Sequence, residues 1–366
     1  MSFFKPAKQA NIVNPAKQGD TITNSTNASN VTAVVCTRGR HETTLPLCLA
    51  AIGMQSRPVS GIWIYDDNDT HVDLREVEPY KQLFTMLMQK GIQYQVTFGN
   101  GTGQVRGHKL SLRECKTEYI WRVDDDDIPE PTCLEKLMLR MEAYSNCGAC
   151  GGLVIDVGNQ TTSDVASNKI EDIYLGLNEQ WFRNPNAKTH EVDHLYSSFV
   201  YKRGEDYYPS NLSRVGHREE TIFTYRMKRA GMKVLLVPEA ITWHLKSKSG
   251  GIRDGYQEMW HKDEDVFAEL LRDWGVNTSD KKVITLDNGL GDHYAFKTIL
   301  PDILARYPNL VLACCYPDVF RAYKDIKIIS IAAAYAGDHR EGIYKWLFEH
   351  NWKGSLTDAY RACYLG

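Results

Sequence analysis

Four adjacent carboxylates, Asp124, Asp125, Asp126 and Asp127, follow directly on the apolar stretch Tyr119-Ile120-Trp121-Arg122-Val123, and Pro129 and Pro131 come straight after. Four negative charges in a row repel one another unless a cation neutralises them. In an extended chain, residues two apart point the same way. That alternation predicts that Asp124 and Asp126 face one cation together, that Asp125 turns away, and that Asp127 starts the next turn. Hard divalent ions such as Mg2+ and Mn2+ take oxygen ligands, commonly one or two carboxylates together with substrate phosphates. The pattern reads as a metal–diphosphate site at the end of a strand. The competing reading is a solvated acidic turn leading into a helix, where Asp is equally at home.

The elements around this run must position it. Val31 to Val35 and Gly61 to Tyr65 read as buried strands, each followed by a polar loop: Cys36-Thr37-Arg38-Gly39-Arg40 after the first, Asp66-Asp67-Asn68-Asp69 after the second. Tyr94 to Phe98 is a third strand and Tyr119 to Val123 a fourth. Helices are expected over 41–54, 80–90, from the glycine-rich 101–107 through Leu112, and over 133–144. Strands alternating with helices argue for a parallel α/β sheet. In such sheets ligands bind beyond the carboxyl ends of the strands, so the loops after strands one, two and four should meet on one edge. Further strands are expected at 152–157 and 234–237, the latter closed by Pro238, with helices at 219–230 and 256–275. Residues 158–200 read as an irregular acceptor-side segment with scattered aromatics such as Trp181 and Phe182. Near residue 280 a second, short βαβαβ pattern begins, with strands at 283–286, 310–314 and 326–331 and helices at 294–306 and 319–324.

The whole chain narrows the possibilities. At 366 residues it has room for two domains, with 43% hydrophobic and 24% charged residues, ordinary values for a globular protein. A net charge of −3 gives no general attraction to nucleic acid or acidic membranes. No apolar run is long enough to span a bilayer, and the start lacks a signal-peptide core. Nine cysteines without framework spacing, among them Cys36, Cys115, Cys314 and Cys315 in apolar surroundings, read as buried free thiols of a reducing, cytoplasmic compartment. The pair Cys147 and Cys150 has no second pair to complete a zinc site. Residues 1–30, polar and aperiodic, read as a flexible arm.

In this order the pieces resemble the family 2 glycosyltransferases of the GT-A fold. The resemblance covers the N-terminal 250 residues. It rests on Val34-Val35-Cys36-Thr37-Arg38-Gly39-Arg40, Gln55-Ser56-Arg57-Pro58, Ile64-Tyr65-Asp66-Asp67, Arg106, Asp124 to Pro131, His217-Arg218-Glu219-Glu220, Arg226, Ala230-Gly231, Val237-Pro238-Glu239-Ala240 and Trp243-His244. It implies an α/β chain whose residues 31–255 form a GT-A nucleotide-diphospho-sugar transferase domain, with a mostly parallel, Rossmann-like sheet. It also implies a nucleotide-sugar donor, expected to be a UDP-sugar, a Mn2+ or Mg2+ cofactor, and inversion at the anomeric carbon. Asp124 and Asp126 would occupy the family's DxD positions, with Asp126 in direct metal contact and His244 a further metal ligand. Thr37, Arg38, Arg40, Asp67 and Asp125 would hold the donor, and Arg106 would pair with the diphosphate or orient Asp126. The base would be Glu220 or its neighbour Glu219, with Glu205-Asp206 as a rival pair. Lys246, Lys248 or Arg253 would sit on a lid over the diphosphate.

Residues 256–280 read as a helical linker. Residues 281–366, with Lys282 to Leu286, Gly289-Leu290-Gly291-Asp292 and Arg306-Tyr307-Pro308, resemble the N-terminal half of family 9 heptosyltransferases of the GT-B fold, in which the residue matching Asp292 is catalytic. The other half of that fold is missing, so the module is expected to dock, to bind acceptor or to form a homo-oligomer. A glycan or lipopolysaccharide is the expected acceptor, with a hydroxylated base in DNA as an alternative. Nucleotidyl transfer would need a phosphate-binding loop that Gly39 alone does not supply. A non-catalytic sugar-nucleotide binder would need neither Glu219 nor Glu220.

Overall fold

The computed structural model describes residues 30–157, 169–170, 188–247, 250–251, 257–276, 282–336, 339 and 342–366. The expected arm up to residue 29, Trp181, Phe182, Lys248, Arg253 and the 278–281 boundary lie outside the described residues. Among those described, twelve strands form two sheets. The larger sheet takes β1 (Val31–Thr37), β2 (Gly61–Asp66), β3 (Gln93–Phe98), β4 (Tyr119–Arg122), β5 (Asp127–Pro129), β6 (Cys147–Asp156), β7 (His190–Glu191), β8 (Phe199–Lys202) and β9 (Lys233–His244). Its order is β3-β2-β1-β4-β8-β6-β9-β5, with β7 also on β9.

Strands β3, β2, β1 and β4 run parallel, and their register explains the site. Thr37 pairs with Asp66, and Val34 pairs with Arg122. The loops after β1, β2 and β4 therefore leave the sheet side by side, on the edge where parallel sheets bind ligands. Alternate residues of these strands feed two cores. Val31, Ala33, Val35, Ile62, Ile64 and Trp121 pack against helices α1 (Leu45–Gly53), α2 (Tyr80–Gln89) and α4 (Cys133–Ala143) through Leu49, Phe84 and Leu137. Val34, Trp63, Tyr65 and Ile120 pack on the other face against α3 (Gln104–Glu114) and α5 (Glu219–Arg229) through Leu112, Phe223 and Met227. Burial on both faces is why β1 and β2 read as continuous apolar runs.

The rest of the sheet departs from the expected parallel pattern. Strand β8 runs antiparallel between β4 and β6, and β5 and β7 run antiparallel to β9, so the sheet is mixed. The strand expected at 234–237 does not close at Pro238 but continues to His244 as β9. Opposite it on β6, Gly152 pairs with Val237 while the next residue, Leu153, pairs with Ile241. Pro238, Glu239 and Ala240 therefore form a bulge, which tolerates a residue that cannot donate to the ladder. Helix α6 (Gln257–Asp273) lies on α5, with Phe267 and Leu271 buried beside Ile222.

The smaller sheet is parallel, in the order β10 (Val283–Leu286), β11 (Val311–Cys314) and β12 (Lys327–Ile329). Its own core gathers Phe296, Leu300 and Ile303 of α7 (Leu290–Arg306) with Phe320 and Tyr360. The helix expected at 319–324 is a single 3-10 turn at Pro317–Phe320. Helices α8 (Ile331–Ala336), α9 (Ile343–Glu349) and α10 (Leu356–Leu365) follow. Cys115 and Cys314 are buried, but Cys36 is half-buried and Cys315, just past the end of β11, is exposed. No helix among the described residues is long and apolar enough to cross a membrane.

Candidate active site

The aspartate run does not stay extended. Asp125 and Asp126 form a turn, and Asp127 already belongs to β5. The simple alternation therefore fails and the four carboxylates take separate directions. Asp125 faces the β1 loop, where its carboxylate accepts a hydrogen bond from the Thr37 hydroxyl at 2.7 Å and pairs with Arg40 at 2.6 Å. Asp126 also pairs with Arg40, at 2.9 Å, and lies 3.4 Å from His244 Nε2, while the Ser247 amide donates to it at 3.2 Å. Asp124 turns the other way, to Arg122 at 3.4 Å. Asp127 is fully buried and accepts a hydrogen bond from the Ser197 hydroxyl at 3.0 Å.

The antiparallel pairing of β5 with β9 puts Asp127 opposite His244. Asp126, Asp127 and His244 can each offer one ligand atom, all within 4.8 Å of one another. The other Asp127 oxygen, Oδ1, is buried without a hydrogen-bond partner, an arrangement that costs stability unless something cationic fills it. Two carboxylates and an imidazole suit Mn2+ or Mg2+. Asp124, expected to face the cation beside Asp126, stands outside this group, and Asp127, expected only to start a turn, stands inside it. Burial pushes the Asp125 carboxyl up to about 6, against the pull of Arg40 and the Thr37 hydrogen bond. Burial also acts upward on Asp126, but His244, Arg40 and the Ser247 amide together hold it below the usual range. Asp127 is raised by burial and by the charge of Asp124.

The β1 loop is shaped by a close backbone crossing. Gly39 has φ +66°, and a Cβ added to Gly250 would fall 2.3 Å from the Gly39 carbonyl oxygen. Only glycine lets the two segments touch, and the Gly251 amide donates to the Arg38 carbonyl at 2.8 Å. Arg38 pairs with Asp69. Asp67 accepts from the Gly103 amide at 3.1 Å, at the start of α3, and burial raises its carboxyl.

The opposite wall comes from the head of α5. Arg218, at φ +68°, precedes Glu219. Glu219 is fully buried and ion-paired with Arg122, with His108 Nε2 at 4.0 Å. Burial raises its carboxyl while Arg122 pulls it back. Helix α6 fixes this wall: Asp263 accepts from the amides of Ser213 and His217 at 2.6 and 2.9 Å, and Glu264 holds His217 at 2.8 Å and Arg218 at 2.7 Å.

A cavity of about 490 Å3 lies between these walls. Thr37, Arg38, Arg40 and Asp67 line it, together with Asp124, Asp125, Asp126 and His244 and with His217, Arg218 and Glu220. Lys246 also lines it. Four expected residues do not. Arg106 is exposed on α3, Glu219 is occupied by Arg122, and the Glu205-Asp206 pair is exposed, with Asp206 bound to Lys109 at 3.5 Å. Sequence reasoning gave no binding role to Arg122, Asp127, Ser197, His217 or Arg218. The signal for Arg122 was present, since an arginine inside an apolar strand is almost never buried unless paired.

A mostly parallel α/β sheet with acidic loops beyond the ends of its strands, lining one cavity, has the architecture of the GT-A fold. Residues 32–204 match the family described as Glycosyl transferase family 2. That match spans just under half of the chain and is to a family of glycosyltransferases. The match ends before the C-terminal module, so it does not bear on the expected likeness of that module to family 9. No curated protein matches the sequence. Among solved structures the chain is similar to GalNAc-T7 with UDP, GalNAc and Mn2+, at 12% identity over 78% of this chain and 59% of that one, with a TM-score of 0.47. It is also similar to S. aureus TarS 1-349 in complex with UDP-GlcNAc, at 13% identity over 66% of each chain and a TM-score of 0.47. The chain therefore spans less than two thirds of the length of either.

Proposed function

We propose that the protein transfers a sugar from a UDP-sugar to an acceptor hydroxyl of a glycan or lipopolysaccharide, with inversion at the anomeric carbon. The observation that carries this reading is that Glu220 lines the same cavity as the acidic loops. Thr37, Arg38, Asp67 and Asp125 line the end suited to the nucleoside. Arg40, Arg218 and Lys246 place positive charge where a diphosphate would lie, and electrostatic stabilisation of a leaving group is commonly the largest catalytic contribution. Asp126, Asp127 and His244 would hold Mn2+ or Mg2+, which when bound would offset the charge of the departing nucleoside diphosphate. Glu220 would take the proton of the acceptor hydroxyl as that oxygen attacks from the face opposite the diphosphate. Glu219, locked to Arg122, is not available for that role.

The test is release of nucleoside diphosphate from a panel of nucleotide sugars with Mn2+ or Mg2+, alongside the Glu220→Gln variant. Donor-dependent release by the wild type, with donor binding but little release by the variant, is expected. No binding or release with any donor would refute the proposal, and full release by the variant would remove Glu220 from it.

A further inference from the structure

Arg122 is the last residue of β4, and its side chain is 2% exposed. Two carboxylates from separate elements hold it: Nη1 pairs with Glu219 at the head of α5, and Nη2 lies 3.4 Å from Asp124 in the acidic loop. The guanidinium also stacks 5.6 Å from the ring centre of Phe199, its register partner on β8. A buried ion pair is poor at adding stability, because removing the charges from water offsets most of their attraction. Its best-attested use is to specify one arrangement among several. Arginine suits that use, since its planar fork fixes the direction of both partners at once.

The two partners flank the chemistry. Asp124 lines the cavity, and Glu219 precedes Glu220, which also lines it. The same guanidinium keeps Asp124 out of the group formed by Asp126, Asp127 and His244. We propose that Arg122 is the positioning residue of the transfer reaction: by gripping Asp124 and Glu219 together, it sets the distance between the acceptor-side base Glu220 and the donor-side acidic loop. This rests on the glycosyltransfer reading above.

The test compares wild type, Arg122→Lys and the double variant Arg122→Met with Glu219→Met, which removes both buried charges and leaves neither unpaired. The double variant is expected to melt near the wild type, bind UDP and Mn2+ within threefold of it, and lose about 100-fold in kcat, the cost of an ångström-scale misplacement. A purely structural ion pair would leave kcat per folded molecule unchanged, and a double variant within threefold of wild-type kcat would overturn the proposal. Should that variant fail to fold, Arg122→Lys decides: a kcat about tenfold lower with unchanged donor KM supports positioning, and wild-type kcat overturns it. A wild type that releases no nucleoside diphosphate from any donor would remove the transfer reading and this inference with it. Wild-type release with unaffected variants would remove this inference alone.

Discussion

Replacing Gly152 by alanine should damage both the fold and the site, although Gly152 does not line the cavity. The residue sits on β6 where the bulge of β9 passes over it, and an added Cβ would lie 2.0 Å from the carbonyl oxygen of Ala240 and 2.8 Å from its carbon. Both atoms are backbone, so no side chain can swing aside. Restoring a 3.4 Å contact requires a displacement of about 1.4 Å. Overpacking of this kind costs about 3 kcal/mol at the upper end of its usual range, and at roughly 2–4 °C per kcal/mol the melting temperature should fall by about 6–12 °C. His244 lies four residues further along the same strand, 3.4 Å from Asp126, so affinity for Mn2+ should weaken as well. Differential scanning calorimetry and calorimetric Mn2+ titration measure the two effects. Gly204→Ala is the control, because an added Cβ there meets nothing within 4 Å and its cost should stay within about 0.5 kcal/mol. A Gly152→Ala chain that melted with the control and bound Mn2+ like the wild type would refute the bulge as the element that places His244.

Three further outcomes follow from the site. Glu220→Gln should lower kcat about 100- to 10,000-fold, the usual contribution of a general base, with donor affinity preserved; steady-state kinetics with a calorimetric donor titration checks both. Asp126→Asn should weaken Mn2+ binding by roughly tenfold or more, read by electron paramagnetic resonance of free Mn2+, and an unchanged affinity would exclude Asp126 as a ligand. Asp125 has its folded carboxyl raised from 3.8 to about 6, so its stabilising contribution is complete below about pH 4 and lost as pH climbs through 6. At about 1.4 kcal/mol per pH unit, that loss approaches 3 kcal/mol. Urea unfolding across this window should show the decline in the wild type and a shallower one in Asp125→Asn, and identical slopes would argue against a raised carboxyl at this position.

The strand–helix alternation of the first 150 residues was legible because burial on both faces leaves continuous apolar runs, punctuated by glycine and proline. The convergence of the loops after β1, β2 and β4 followed from parallel topology alone. The antiparallel insertion of β8 was not legible. Phe199–Lys202 is four residues long, and its neighbours β4 and β6 are chosen by tertiary packing rather than by its own pattern. On paper the strand at 234–237 closed at Pro238, because proline ends most strands. The bulge that accommodates it depends on Gly152, 86 positions earlier, and no local window connects the two.

The aspartate run shows where a sequence rule reaches its limit. Two-residue alternation holds while the backbone is extended, but Asp125 and Asp126 turn, so the carboxylates no longer divide between two faces. Arg40 takes Asp125 and Asp126, Arg122 takes Asp124, and β9 brings His244 to Asp127. Two arginines thus pair with three of the four carboxylates. One of them, Arg40, lies in a loop noted from the sequence. The other is concealed inside the apolar strand whose end first drew attention to the aspartates. A buried arginine two residues before an acidic loop must find its counter-charges nearby, and here one of them lies in that loop and the other, 97 positions later, at the head of the helix that carries Glu220. Arg122 therefore joins the acidic loop to that helix.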